Sequence, residues 1–181
     1  MDTLRPVPLA LAAVLACVLA GCTSEPVTAP VEQQAATTDP VAGLVAHGEY
    51  IVRIAGCNDC HTEAYATLGG EVPLAQWLTG SALGYNGPWG TTYATNLRLT
   101  IADLEEQEWL DYTATLHTRP IMPDFMLRQM REQDRRAIWH FVRSLGPAGN
   151  PAPKALPPGE TPPPPYFQLV LPPIEDNAIP G

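Results

Sequence analysis

The chain has 181 residues, of which 45% are hydrophobic, and its formal net charge is −9. This length suits one folded domain with tails better than two domains. Because only ten residues are basic, the chain has no strongly positive face for nucleic acid, and we expect no nucleic-acid partner.

The N-terminus has the features of an export signal. Arg5 precedes an apolar run over residues 7–20, which is too short and too rich in alanine for a membrane span. Residues 1–21 are therefore predicted to be a signal peptide. The tetrapeptide Leu-Ala-Gly-Cys that ends at Cys22 resembles the bacterial lipoprotein box, in which the cysteine receives lipid and becomes the first mature residue. The alternative is an ordinary signal peptide, with Cys22 incidental.

Lipid on Cys22 would anchor the protein to a membrane without spanning it. We therefore expect the protein on the periplasmic side of a bacterial envelope membrane. Asp directly after the lipidated cysteine resembles an inner-membrane retention signal. This chain has Thr23 there instead, which favours the outer membrane. Residues 22–38 are rich in Thr, Ala, Gln and Pro without periodicity, which predicts a flexible tether.

The predicted domain, residues 39–146, opens with a helix. Asp39 can cap its N-terminus, and Pro40 suits the first helical position because its missing N–H would be unpaired there anyway. The apolar residues that follow have helical spacing, and Gly48 would let another helix come close. This helix is predicted to deliver the next motif to the edge of a cofactor.

Residues 57–61 form a Cys-x-x-Cys-His motif, the attachment signal of haem c. Cys57 and Cys60 can each add to one vinyl group of a single haem, and His61 can reach the iron as an axial ligand. A structural zinc site commonly needs two such cysteine pairs, and only one is present. A redox dithiol of the thioredoxin type would need a βαβ context. Because the remaining cysteines belong to the export signal, no structural disulfide is expected.

Two more helices are predicted further along the chain. Thr100-Ile101-Ala102-Asp103 resembles a capping box that opens a helix through about Leu116. The last helix has the clearest periodicity, and Gly146-Pro147 ends it. Its apolar stripe consists of Ala137, Ile138, Phe141, Val142 and Leu145. No segment alternates strongly between apolar and polar residues, so the predicted fold class is mostly α.

Several of these residues together resemble a class I mono-haem cytochrome c, over roughly residues 41–145. They are Gly48 and Tyr50 ahead of the haem motif, Met122-Pro123, and the apolar stripe of the last helix. The resemblance implies a cytochrome c-like domain, in which the first and last helices pack beside a covalently bound haem. It also implies that His and Met hold the iron. Some members of this family are cytochrome subunits or partners of periplasmic dehydrogenases.

The sixth iron ligand has more than one candidate. Met122 lies between Pro120 and Pro123 in a stiff, extended segment, which together with the resemblance favours it. Met126 and Met130 are four residues apart, which is typical of core packing in a short helical turn.

Histidine and aromatic residues offer further candidates. His117 is the rival to Met122 as iron ligand, whereas His47 and His140 are expected to bind no metal. Residues 84–93 are rich in glycine and aromatic residues. They either line the haem crevice, with Trp89 or Tyr93 near the cofactor, or form turns whose aromatic side chains fill the core.

Residues 147–181 form a proline-rich tail, which holds more than half of the 21 prolines. This composition predicts neither regular helix nor sheet. The apolar residues between 166 and 171 predict that the tail packs back on the domain or docks on a partner.

These features predict a single-electron carrier with one covalent haem c, whose iron is ligated by His61 and Met122. Its partners would be redox proteins: a dehydrogenase, an oxidase or other cytochromes. No substrate pocket or catalytic acid–base pair is evident, so we expect an electron-transfer protein or subunit and not an enzyme. The alternative is a haem-based gas sensor or a peroxidase-like enzyme with an open sixth coordination site.

Overall fold

The computed structural model describes residues 39–172. The predicted signal peptide, the lipidation site Cys22 and the tether over residues 22–38 lie outside the described residues, as do residues 173–181. Within the described part, no helix is both long enough and apolar enough to cross a membrane.

The described part is rich in helix, as predicted, and also contains a small sheet. Its helices are α1 (Pro40–Ile54), α2 (Cys57–His61), α3 (Leu97–Ala102), α4 (Glu106–Thr115), α5 (Asp124–Gln129) and α6 (Glu132–Leu145). Its strands are β1 (Gly84–Gly87), β2 (Gly90–Tyr93) and β3 (Tyr166–Gln168).

The first and last helices cross at Gly48. A Cβ atom built on this glycine would lie 1.9 Å from the carbonyl oxygen of Ala137 and 2.7 Å from Cβ of Phe141. Only a residue without a side chain allows this approach, so the predicted close contact is confirmed. The predicted start of α1 is confirmed too, because the Asp39 carboxylate accepts a hydrogen bond from the Val41 N–H at 3.0 Å.

One hydrophobic core lies beneath α1 and α6. The predicted stripe of α6 is confirmed, with Ala137, Ile138, Phe141 and Val142 buried and Leu145 half-buried. Helix α1 contributes Val52 to the core. The other members come from the segments between the two helices: Val72, Trp77, Leu78, Ile101, Trp109 and Leu110.

The end of α6 has positive φ at Gly146, as a glycine stop requires, with φ 69° and ψ 168°. The ψ angle is extended and not left-handed helical, because the following Pro147 disfavours helical ψ at the residue before it.

The predicted capping box at residues 100–103 was wrong. Thr100 lies inside α3, where its hydroxyl donates to the Asn96 carbonyl at 3.0 Å, so it is not available to start a helix. The capping box instead consists of Glu105 and Glu108, whose side chains each accept from the other's backbone N–H at the start of α4. The end of α4 at Thr115 agrees with the prediction.

The sheet has the order β2–β1–β3. Strands β1 and β2 form an antiparallel hairpin that turns at Pro88 and Trp89, and β3 pairs parallel to β1 with Gly84 opposite Tyr166. The expectation that the tail contains no strand was therefore wrong. A strand of three residues is too short to show an alternating pattern, and β3 forms because β1 offers it a free edge.

The tail packs back on the domain over its described residues, which is one of the two outcomes expected of it. Pro162 is buried, and the ring of Phe167 lies 5.8 Å from the ring of Tyr85. The amide of Asn96 donates to the carbonyls of Ala148 at 2.7 Å and Asn150 at 3.1 Å.

Candidate functional site

The Cys-x-x-Cys-His motif and the methionine segment line the same cleft, whose volume is about 320 Å³. This volume lies in the range of small-molecule and cofactor sites. Cys57, Cys60 and His61 contribute to one side, and Met122 contributes to the lining from a distant part of the chain. Further lining residues are mainly apolar or aromatic and come from the β-hairpin, α3, α4, α5 and α6, among them Tyr85, Tyr93, Leu97, Trp109, Tyr112, Leu127 and Ile138.

A short break in the helix places the motif. Gly56 has φ 68° between α1 and α2, a conformation that glycine adopts at little cost. Helix α2 is then held by Thr62, whose buried hydroxyl donates to Asn58 Oδ1 at 2.7 Å and accepts from the Leu78 N–H at 2.8 Å. Thr62 therefore holds the motif in place through Asn58, a residue of the motif that is not a candidate ligand.

His61 is prepared to act as a metal ligand. The residue is only 8% exposed, and its Nδ1 lies 2.8 Å from the carbonyl oxygen of Thr95. Because a carbonyl can only accept, Nδ1 carries the hydrogen, and the neutral ring then keeps its lone pair on Nε2. Burial lowers the pKa of His61, which favours this neutral form.

The two motif cysteines are free thiols. Burial raises the pKa of Cys57 to about 11, so its thiol is protonated at neutral pH. A reactive redox dithiol works through its thiolate, and a raised pKa therefore argues against that interpretation. Cys60 Sγ accepts a hydrogen bond from the hydroxyl of Tyr85 at 3.5 Å.

Met122 lies in a loop of residues 116–123, here called the Met122 loop. Two hydrogen bonds attach it to the β1–β2 hairpin: Thr92 Oγ1 donates to the Pro120 carbonyl at 2.7 Å, and Arg119 donates to the Trp89 carbonyl at 2.9 Å. The Asp124 carboxylate closes the loop by accepting from the Thr118 N–H.

Asp124 is itself held by Arg128, which donates to it at 2.7 Å and also to the Leu116 carbonyl. The hydrogen bonds from Thr118 and Arg128 hold the pKa of Asp124 below its ordinary value. The carboxylate is therefore ionised at neutral pH and can serve as an acceptor.

All three methionines of residues 119–130 reach the cleft, which the sequence did not predict. Met126 and Met130 line it together with Met122, although they were expected to pack only in the core. Met130 also packs against the core cluster, while Met126 is 44% exposed.

The histidine candidates lie elsewhere. His117 is exposed and is not among the residues that line the cleft. His47 pairs with Asp134 at 2.8 Å between α1 and α6, and His140 pairs with Glu106 at 2.9 Å between α6 and α4. Neither histidine lines the cleft.

Some aromatic residues of the hairpin line the cleft, and Trp89 does not. Tyr93 lines the cleft, as one interpretation of residues 84–93 predicted. Trp89 does not line it, and its indole N–H points to the Tyr85 carbonyl at 3.4 Å. Tyr85, in the same glycine-rich and aromatic stretch, also lines the cleft, although the pattern singled out only Trp89 and Tyr93.

Charge is sparse in the cleft. Arg119 is the only Arg, Lys, Asp or Glu among its described lining residues. Across residues 39–172, no group of three or more His, Cys, Asp or Glu side chains is placed to hold a metal ion. A haem iron takes only two protein ligands, so this finding does not bear on it.

A second hollow of about 300 Å³ is lined by Arg98, Val142 and Arg143 and contains none of the predicted site residues. Arg98 and Arg143 direct their donors at backbone carbonyls, among them those of Gly146 and Ile101, so both arginines serve to terminate helices. No family model, curated protein or solved structure matches this chain.

Proposed function

We propose that this protein is a single-electron carrier that holds one covalently attached haem c in the cleft between α2 and the Met122 loop. The observation that carries the proposal is the shared cleft. The motif residues Cys57, Cys60 and His61 line it together with Met122, although Met122 is about 60 residues further along the chain.

The donor set fits a haem. Two neighbouring thiols on α2 match the two vinyl groups that haem c attachment uses. Because Nδ1 of His61 donates its hydrogen to the Thr95 carbonyl, Nε2 keeps a free lone pair for a metal. Met122 supplies a thioether. A haem held in this way supplies one-electron chemistry, because its iron can be ferric or ferrous.

The contribution of the chain is to hold the ligands and to exclude water. Thr95 orients His61, and the hydrogen bonds of Thr92 and Asp124 hold the Met122 loop. Ligands that move little between two oxidation states keep reorganisation small. The apolar and aromatic lining around them favours the less charged state of a buried group.

The cellular setting belongs to the proposal as well. Lipid on Cys22 would anchor the protein on the periplasmic side of a bacterial envelope membrane, with the outer membrane favoured by Thr23. The redox partners would be a dehydrogenase, an oxidase or other cytochromes, and the protein itself would catalyse no reaction.

Visible spectra of the purified, matured protein test the proposal, recorded in the ferric state and in the dithionite-reduced state with and without carbon monoxide. We expect a low-spin ferrous spectrum that carbon monoxide does not change and the weak far-red ferric band of a sulfur–iron bond. Met122→Leu should remove that band, because leucine keeps the volume and lacks the sulfur. Met126→Leu and Met130→Leu are the matched controls and should keep it.

Loss of the far-red band in Met126→Leu or Met130→Leu, but not in Met122→Leu, would reassign the sixth ligand. Carbon monoxide binding to the unmodified protein would favour the alternative, a haem-based gas sensor or a peroxidase-like enzyme. A matured protein without covalent haem would refute the proposal itself.

A further inference from the structure

We propose that residues 148–169, here called the strap, hold the Met122 loop closed over the cleft, and that Arg119 is the positioning residue that joins the two. The inference rests on the proposed function, since it concerns how firmly the sixth iron ligand is held. It assigns a role to the proline-rich tail, which the haem chemistry alone does not require.

The strap is attached at both ends. At its start, Asn96 donates to the carbonyls of Ala148 and Asn150. At its end, β3 pairs with β1, where the Gly84 N–H donates to the Pro165 carbonyl at 3.0 Å and the Leu169 N–H donates to the Asn86 carbonyl at 2.8 Å. Its path between these points is therefore set by the hairpin that forms one wall of the cleft.

The middle of the strap lies directly on that hairpin. Leu156 and Thr91 exchange two backbone hydrogen bonds, each of 3.0 Å. The contact depends on Gly90, because a Cβ atom there would lie 2.3 Å from the Leu156 carbonyl oxygen. Ala155, the neighbour of Leu156, reaches the lining of the cleft.

Arg119 joins the strap to the Met122 loop. One terminal nitrogen of its guanidinium donates both to the Leu156 carbonyl at 3.0 Å and to the Trp89 carbonyl at 2.9 Å. The Leu156 carbonyl thus accepts from Thr91 and from Arg119 at once. The strap, the hairpin turn and the loop meet at this one side chain, three residues before Met122.

The chemistry of the strap suits this role. Its prolines restrict the chain before folding, so fewer conformations are lost when it is fixed in place. Charge-assisted hydrogen bonds to carbonyls are stronger than neutral ones, although the exposure of Arg119 reduces their net contribution. For the loop to swing out and release Met122, both hydrogen bonds of Arg119 must break.

The test measures how quickly imidazole replaces Met122 in the ferric, full-length, matured protein, followed by loss of the far-red band. Arg119→Leu should accelerate imidazole binding about tenfold, the factor expected for the loss of roughly one net hydrogen bond. Arg119→Lys should restore part of the wild-type rate, because it keeps the charge and a donor. Lys154→Leu is the matched control, since it removes one positive charge from the strap and should leave the rate unchanged.

A second pair of variants tests the position of the strap while Arg119 is left unchanged. Gly90→Ala places a Cβ atom against the Leu156 carbonyl and should also accelerate imidazole binding. Gly159→Ala is its control: this glycine also has positive φ, 89° against 94° at Gly90, but a Cβ atom there meets nothing within 4 Å. The φ angles are therefore similar, and the two variants differ in the contacts that the added atom makes with residues 156–158 of the strap.

Amide hydrogen exchange supplies a readout that needs no bound haem. In Arg119→Leu and Gly90→Ala, the amides of Leu156 and Thr118 should exchange faster than in the two controls. The first amide reports on the strap and the second on the Met122 loop.

The possible outcomes separate the two proposals. Protein that carries haem but shows the same imidazole rates and the same exchange in all variants would overturn the strap inference and leave the electron-carrier proposal intact. Protein that carries no covalent haem would overturn the electron-carrier proposal, and amide exchange alone would then decide whether the strap holds the Met122 loop. Faster imidazole binding in Arg119→Leu and Gly90→Ala, with unchanged controls, is the result that the inference predicts.

Discussion

At the scale of single residues, Thr62 fixes the position of the haem motif through two hydrogen bonds of its hydroxyl. Its hydroxyl is buried and serves both Asn58 and the backbone N–H of Leu78. Because Thr62 is only 2% exposed, a side chain without the hydroxyl would leave the buried Leu78 N–H without its acceptor. The motif helix thus depends on a residue that touches no cofactor atom.

Thr62→Val should destabilise the protein by about 2 kcal/mol, because it keeps the side-chain shape and removes the acceptor of the Leu78 N–H. Denaturant unfolding followed by circular dichroism measures this loss. Thr67→Val is the matched control: Thr67 is exposed, its hydroxyl donates only to the Ala64 carbonyl, and its replacement should change stability by less than about 0.5 kcal/mol. Equal losses in the two variants would contradict the role of Thr62.

Asp134 links α6 to α1 through a carboxylate. Hydrogen bonds from His47 and Arg131 hold the pKa of Asp134 below its ordinary value. Because the folded-state pKa lies below the unfolded-state value of about 3.9, the unfolded chain binds more protons in that interval. The stabilising contribution is therefore complete above about pH 4 and is lost as the pH falls through the folded-state pKa.

Asp134→Asn should lower the free energy of unfolding at neutral pH and make it depend less on pH below about pH 4. Chemical unfolding at a series of pH values measures both effects. Asp103→Asn, which changes an exposed carboxylate at the end of α3, should leave the acid dependence as in the wild type. An unaltered acid dependence in Asp134→Asn would show that the hydrogen bonds to His47 and Arg131 contribute nothing in solution.

At the scale of elements, the crossing of α1 and α6 decides where the haem motif lies. Helix α2 follows α1 after the Gly56 break, so any shift of α1 against α6 moves Cys57 and His61 as well. The crossing has no spare room at Gly48, where a Cβ atom would lie 1.9 Å from the Ala137 carbonyl oxygen.

Gly48→Ala should therefore destabilise the protein by about 3 kcal/mol or more, because one helix must move away from the other. Gly43→Ala is a matched control in the same helix, with nothing within 4 Å of the added atom. It should stabilise the protein by roughly 0.5–1 kcal/mol, since alanine is the better helix former. Thermal unfolding of both variants decides the matter, and a neutral Gly48→Ala would mean that the helices are not in contact there.

At the scale of the whole molecule, hydrogen bonds attach the proline-rich tail to the domain up to Leu169. Its pairing with β1, the contact of Leu156 with Thr91 and the hydrogen bonds from Asn96 attach it along its length. A segment attached in this way opens to a protease only through a fluctuation that breaks several contacts together.

Limited digestion of the native protein with a protease of broad specificity should therefore yield no stable fragment that ends near Gly146. Mass spectrometry of a time course measures the fragments, and the same digest in partly denaturing urea is the control that should release the tail. Rapid trimming back to about Gly146 under native conditions, with an unchanged haem spectrum, would show that the tail is not part of the fold.

Local features of the sequence predicted a large part of the helical frame. The Asp39-Pro40 start, the stripe of α6 and the close approach at Gly48 each depend on residues within a few positions of one another, or on the absence of a side chain. The structure agrees with all three. The spacing of Cys57, Cys60 and His61 identified the haem motif, whereas the break at Gly56 that separates α2 from α1 was not predicted.

The errors have physical reasons of two kinds. Thr100 carries a good capping pattern, but Asn96 starts α3 four residues earlier, and two overlapping local patterns compete for the same backbone. Strand β3 has almost no signal of its own, because it exists only where β1 presents a free edge. Neighbouring structure decides only the second case, since a distant strand supplies the edge on which β3 forms.

The candidate site divides in the same way. The cap at Asp39, the apolar stripe of α6 and the haem motif could be identified from the printed residues, because each depends on residues that are close together in the chain. Three further arrangements could not be predicted: Met126 and Met130 in the same cleft as the motif, the hydrogen bond from Tyr85 to Cys60, and the position of Leu156 beside Arg119. Those arrangements join segments that are far apart in the chain, and only the packing of the folded core brings them together.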